Sequence, residues 1–346
     1  MKYLYIFIGL FVLIGCMSNF IDRSSALDVS SIDYKENHIF FETGQYHSIT
    51  WLSNKSIAVI YKPPYFDGRP QDDRLHIYDI DSEVWDEVEI IFDDSPEPRC
   101  RINYLIRLSR LPNGNLGMVK LCNGNEEEAV VEYNMSTGQH KVLQLYVDSP
   151  INSVGEFSYS PSMSELIQED STGYLLTTTI YYVDNKSNNI LQIAPDFIRA
   201  DRPAWSPHNR EILFWGTEKV PDGMLPTQIA NRFDLINIVY YPWDLYLSSP
   251  DGTNLRKIVS SVEEHISAKW SPTQENIIAF SGIYRNVSGI WLLDLETMNI
   301  TRIYKKHVSS FDWSLNGKKI VFIETDAIFN GTPIYEHEIG IIDIGQ

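Results

Sequence analysis

An all-β architecture is predicted by three features of the 346-residue sequence. The first is texture: 20 Tyr, 15 Phe and 8 Trp lie among closely spaced Asn, Ser and Asp, which suits many short strands joined by turns. Long amphipathic helices are hard to find. The second is a repeated phrase, "AWSPHNREILFWGT" at 204–217, "KWSPTQENIIAFSG" at 269–282 and "DWSLNGKKIVFIET" at 312–325. Looser copies stand at 50–61, 109–120 and 158–169. The third is a second apolar hairpin pattern after each of the first five copies, at 75–90, 130–145, 180–193, 244–259 and 289–304. Four strands per unit, anchored at residues 51, 110, 159, 205, 270 and 313, predict a six-bladed β-propeller of four-stranded antiparallel blades.

Each element has its local reason. In the inner phrase a Trp ends a β-prone run, Ser and a turn signal follow, and apolar alternation resumes, so the phrase is a hairpin. Pro207 presets φ for one turn, and Asn316-Gly317 offers left-handed positions for another. The buried face returns as Ile212/Phe214, Ile278/Phe280 and Ile320/Phe322. The sixth unit ends at "EIGIIDIGQ" (338–346), one strand short. The segment "NHIFFET" (37–43) is expected to supply the missing strand, closing the ring and removing an exposed edge. The propeller is therefore expected over residues 36–346 as one domain.

Ahead of it, an apolar run from Tyr3 to Ile14 follows a single Lys, too short to span a bilayer as a mature helix but suited to a signal-peptide core. Its end, Leu13-Ile14-Gly15-Cys16, resembles the lipobox of bacterial lipoproteins. That resemblance implies a signal peptide over 1–15, a lipidated Cys16 and a polar tether to residue 35. An ordinary signal peptide or an N-terminal membrane helix are the other readings of this stretch. The implied location is the bacterial cell envelope, lipid-anchored and facing the extracytoplasmic side. Cys100 and Cys122 then form an even pair in an oxidising setting, which admits a disulfide. Against the bridge, a hairpin centred on Asn113-Gly114 sets the two about five residues out of register.

The inner phrase is similar to the WD40-like repeat of the TolB propeller family, a Trp-Ser-Pro-Asp-Gly turn followed by Ile-x-Phe. The resemblance implies the fold over essentially residues 37–346 and leaves function open, because the same repeat occurs in partner-binding periplasmic proteins, in propellers of prolyl-oligopeptidase-type enzymes and in polysaccharide lyases. A separate N-terminal α/β domain like that of TolB is not expected in the residues ahead of the propeller.

Lys and Arg total 28 against 46 Asp and Glu, a net charge of −18, which argues against nucleic acid as a partner. No nucleophile elbow, zinc-protease helix, Walker loop or dinucleotide fingerprint occurs. Asp79, Asp81 and Glu83 carry calcium-loop spacing, yet they align with ordinary outer turns and lack the required glycine. His47, His265 and His307 each fall shortly before an anchor Trp, at the start of innermost strands of neighbouring blades. They are candidate ligands for a divalent metal, an arrangement resembling the His-bound manganese of oligogalacturonate lyases. Three unrelated polar rim histidines are the plainer reading, and no other cofactor is expected. Long insertions on the same face carry Tyr65, Phe66, Phe233, Tyr240, Tyr241, Phe329 and Tyr335, residue types that interfaces and carbohydrate sites use. Acidic stretches at 92–98, 195–201 and 262–265 are expected to crowd that face. The sequence favours a non-enzymatic, surface-anchored propeller binding a protein, peptide or glycan through its long-loop face. The alternative is a metal-dependent glycan lyase.

Overall fold

The computed structural model describes residues 34–39, 45–63, 73–88, 103–122, 128–145, 154–171, 178–187, 189–208, 210–218, 243–325 and 337–344. Among them there are strands and turns and no helix. The first sheet contains β2 (Gln45–Trp51), β3 (Ser56–Lys62), β4 (Arg74–Asp79) and β5 (Val84–Val88); β1 (Tyr34–Ile39) belongs elsewhere. The second contains β6 (Asn103–Arg110), β7 (Leu116–Cys122), β8 (Glu128–Tyr133) and β9 (His140–Leu145). The third is β10 (Val154–Tyr159), β11 (Glu165–Ser171), β12 (Thr178–Asp184) and β13 (Asn189–Ile193).

The expectation of separate four-stranded blades fails after the third sheet. β14 (Phe197–Trp205), β15 (Ile212–Glu218), β16 (Trp243–Ser248), β17 (Arg256–Trp270), β18 (Ile277–Tyr284), β19 (Val287–Asp294) and β20 (Asn299–Tyr304) form one seven-stranded sheet. The physical reason lies in β17. Between Arg256 and Trp270 the chain has no Gly, Pro or Asn to break it, so its first half pairs with β16 and its second half with β18. The change of direction is absorbed by register shifts around His265 and by Ser261, whose φ of 62° bends the strand. The N–H of Ser261 donates to Asp244 Oδ1 at 2.9 Å.

The last sheet runs β1, β23 (His337–Ile344), β22 (Lys319–Thr325), β21 (Val308–Trp313). β1 pairs antiparallel with β23 from Tyr34 opposite Ile344 to Ile39 opposite Ile339, three residues earlier in the chain than the 37–43 stretch expected to fill that place. Chain start and chain end thus share one sheet.

Burial follows position within each sheet. Second strands are closed on both faces, as in Ile57 to Tyr61 of β3 and Ile320 to Ile323 of β22, because sheets stack against sheets. Outer strands are wet, with β13 buried only at Ile193. Anchor residues Trp51, Trp205, Trp270 and Trp313 are all buried. Six strands pack side by side in a cycle: β2 against β6 and β21, β10 against β6 and β14, and β17 against β14 and β21.

The turns are as the phrase requires. Gly317 N–H donates to Ser314 O at 2.9 Å, and of the Asn316-Gly317 pair only the glycine takes positive φ, 67°. The Asp79 stretch is an outer turn: Ser82 donates through both its N–H and its hydroxyl to Asp79 Oδ1, at 2.9 Å each. These bonds hold the Asp79 carboxyl below its ordinary range.

Candidate functional site: the central channel

A cavity of about 430 Å³ is lined by residues of six strands, β2, β6, β10, β14, β17 and β21. Its seams are stitched by polar groups reaching from one inner strand to the next. Ser48 Oγ accepts Leu108 N–H at 3.0 Å, and Ser158 Oγ accepts Trp205 N–H at 2.9 Å. Asp312 does most at the chain closure. Its Oδ2 accepts Thr50 Oγ1–H at 2.6 Å and Trp51 N–H at 3.1 Å, and its Oδ1 takes Lys269 Nζ at 3.0 Å. Indoles join in, Trp51 Nε1 donating to Asp312 O at 3.2 Å and Trp313 Nε1 to Lys269 O at 3.3 Å.

The third sheet departs from the repeat. Aligned on the strand pairing, the second strands read Ile57-Ala58-Val59-Ile60-Tyr61, Leu116-Gly117-Met118-Val119-Lys120, Leu166-Ile167-Gln168-Glu169-Asp170, Ile212-Leu213-Phe214-Trp215-Gly216, Ile278-Ala279-Phe280-Ser281-Gly282 and Ile320-Val321-Phe322-Ile323-Glu324. Gln168 and Glu169 therefore occupy slots filled by Val59-Ile60, Met118-Val119, Phe214-Trp215, Phe280-Ser281 and Phe322-Ile323 in the other copies. Both are buried, as is Asp170. Glu169 Oε2 accepts Arg202 N–H at 3.1 Å and Glu156 N–H at 3.4 Å. Each donor sits in an irregularity of its inner strand, Glu156 between Val154 and Phe157 and Arg202 between Asp201 and Ala204, with Arg202 at a φ of 50°. The bulges free two N–H groups from the ladder, and one buried carboxyl receives both. Burial pushes Glu169 up to about 7, helped by the nearby Asp201 and Glu156 carboxyls. Glu156 is paired with Arg107 Nε at 3.1 Å.

A second carboxyl lies at the Asp170 level of the last sheet. Glu324 is buried, accepts the hydroxyl of Tyr304, and pairs with Lys306 Nζ at 2.5 Å. Beside it His307 Nδ1 lies 2.7 Å from Thr325 Oγ1.

The histidines expected to share a metal lie on or at neighbouring strands. His47 is at the β2 irregularity between Tyr46 and Ser48, His265 opposite Gly282 in β17, and His307 just ahead of β21. Among the described residues no group of three His, Cys, Asp or Glu could hold a metal ion; the His265 side chain is not among those described. Tyr65, Phe66, Phe233, Tyr240, Tyr241, Phe329, Tyr335, Cys16 and Cys100 lie outside the described residues, and Cys122 has its backbone opposite Asn103. Two of the three acidic stretches expected on the rim are strand instead: 197–201 begins β14, where Asp201 is buried, and 262–265 lies within β17. The residues that sequence reasoning missed are Glu156, Gln168, Glu169 and Arg202; Asp201 fell within the acidic stretch 195–201 but was expected on the rim. For Gln168 and Glu169 the signal was present in the aligned repeats, as a polar pair in a mostly apolar register.

No protein-family model and no curated protein matches the chain. Solved structures do. TolB from Acinetobacter baumannii superimposes with a TM-score of 0.55 at 15% identity, over 83% of this chain and 63% of that one, so the chain spans less than two thirds of its length. A luciferin-regenerating enzyme gives 0.54 at 10% identity, over 90% and 95%. A TolB homologue from Agrobacterium tumefaciens gives 0.51 at 13%, over 74% and 79%. At these identities the likeness is one of fold: the chain is an all-β protein of propeller-like antiparallel sheets.

Proposed function

We propose that the chain is a six-bladed propeller, two of its blades fused through β17, acting as a non-enzymatic binding module of the bacterial cell envelope. Support for six blades comes from the cycle of six inner strands and from the two-sided pairing of β17. Envelope location and a lipid anchor rest on the Leu13-Ile14-Gly15-Cys16 stretch. The ligand, a protein, peptide or glycan, is taken at the end of the ring where second strands connect to third strands.

The observation that carries this reading is the uneven length of those connections. β18 and β19 are joined by Arg285 and Asn286 alone, and β7 to β8 by residues 123–127. Residues 63–73, 219–242 and 326–336 make the same link in three other units. A closed ring does not need such length, and long loops on a rigid scaffold are where recognition is placed. The seven aromatics named from the sequence all fall in these three segments. The lyase reading would require His47, His265 and His307 on one ion; Thr325 engages His307 Nδ1, and nothing specific favours that reading.

The test is a variant with residues 220–240 replaced by Gly-Asn. It should melt like the parent and fail to capture the envelope component that the parent captures from native membranes. A variant that retains capture overturns the reading, and so does one that collapses, since the segment would then belong to the core.

A further inference from the structure

The chain enters its sheets at one defined face. In four units the residue at the end of the third strand donates its N–H to a carbonyl of the inner turn: Ile80 to Lys55 O at 2.7 Å, Asn185 to Ser164 O at 3.1 Å, Leu295 to Asn276 O at 2.8 Å and Ile344 to Lys318 O at 2.8 Å. Neighbouring units hold their inner turns on the same side. Asn316 N–H donates to Asn54 Oδ1 at 3.1 Å, and His208 Nε2 lies 3.1 Å from Ser271 O. The links between first and second strands and between third and fourth strands lie on this face, and none is longer than residues 249–255 between β16 and β17. Tyr34 stands opposite Ile344, so the chain passes from residue 33 into β1 at the short-turn face.

The long connections leave from the opposite ends of the strands. In the last sheet Thr325 stands opposite His337, and residues 326–336 join them there. The distance between the two faces follows from β19, which runs from Val287 at the far end to Asp294 beside the short turn. Its eight residues rise about 23 Å at ~3.3 Å per residue. Residues 17–33 separate Cys16 from Tyr34, a length of seventeen. A flexible chain of that length has an r.m.s. end-to-end distance of about 21–25 Å. An anchor on the long-connection side would spend that whole reach in drawing level with the far face, whereas an anchor on the short-turn side leaves the chain unstretched. Stretching removes conformational freedom, so the second arrangement is favoured.

We propose that the protein stands with its short-turn face toward the bilayer that holds Cys16 and its long connections directed away from it, so that the ligand taken at those connections is a component outside that bilayer and not one embedded in it. This rests on the lipid anchor and on the recognition role of the long connections proposed above. The orientation is set by where β1 begins and by the length of chain before it, with no adhesion of the short-turn face to lipid required.

The test places one fluorescent non-natural amino acid at Met298, exposed on the short turn after β19, or at Val287, exposed at the other end of the same strand. Leu255, exposed on the β16–β17 turn, serves as a second short-turn site should the Met298 variant fail to melt like the parent. Each labelled full chain, carrying its lipid, is added to phosphatidylcholine vesicles that contain a lipid-borne energy acceptor. With about 23 Å between the two ends of β19, transfer should be roughly twofold stronger from position 298 than from 287. Doubling the tether by inserting seventeen Gly and Ser residues before Tyr34 should shrink that difference, because the reach then exceeds the height of the sheet. Equal transfer from the two ends, stronger transfer from position 287, or a difference unmoved by the longer tether overturns the orientation while leaving the anchor standing. Absence of transfer from every site, with the protein missing from the vesicle pellet, overturns the anchor and the orientation together.

Discussion

Glu169→Gln should make the protein more stable above neutral pH. The wild-type carboxyl is buried in a slot that five other units mostly fill with apolar side chains, and burial, Asp201 and Glu156 raise it from 4.5 to about 7. In the unfolded chain it titrates near its ordinary value. Between the two pKa values the folded state holds a proton that the unfolded state has lost, so stability falls as pH rises through that window. The contribution is fully present below about 4.5 and gone above about 7. A shift of this size corresponds to about 3 kcal/mol at ~1.4 kcal/mol per pKa unit. Glutamine copies the shape of the protonated acid, and its carbonyl still accepts the Arg202 and Glu156 N–H groups. Urea unfolding at a series of pH values should therefore give matching stabilities for the two proteins, within about 1 kcal/mol, near pH 5, and an advantage approaching 3 kcal/mol for Glu169→Gln near pH 8. Parallel pH profiles would show that Glu169 titrates as an ordinary carboxyl and that its burial is not felt.

Two further outcomes are expected. Trp205→Ala and Trp270→Ala should each cost about 3–5 kcal/mol, measured as a lowered denaturation midpoint, because each removes a buried indole from an inner-strand seam; an unmoved midpoint contradicts the repeat alignment. Cys16→Ala should leave the melting temperature unchanged while moving the protein from the membrane to the soluble fraction, and a variant still wholly in the membrane pellet would rule out the lipobox.

Much of the fold was legible because the repeat writes it directly. Trp-Ser with a turn former and the following Ile-x-Phe place the first two strands of a unit, and the observed pairings of Trp205 with Ile212 and Trp313 with Ile320 are that phrase folded back on itself. The junction at β17 was not legible, since hairpin reasoning looks for breakers, and here the chain bends through Ser261 without one. The site was less legible again. Attention to histidines and loop aromatics favours residue types, whereas Glu169 is informative for its register: a Glu is unremarkable in a strand until five aligned copies show what normally stands there.

The same comparison explains why polarity collects where it does. A ring of sheets has to join its inner strands without a continuous backbone ladder between them, and Ser48, Ser158 and Asp312 each lend a side-chain oxygen to an N–H of the next strand. Serine does this cheaply, being small and neutral. Asp312 needs Lys269 to balance it, and places that pair at the seam that joins the last unit to the first. Glu169 does the work with no cation bonded to it, at the seam where two bulges leave N–H groups pointing the same way. The carboxyl meets both donors by staying largely protonated below neutrality. Replacing Glu169 by Gln keeps the seam while removing the partial charge.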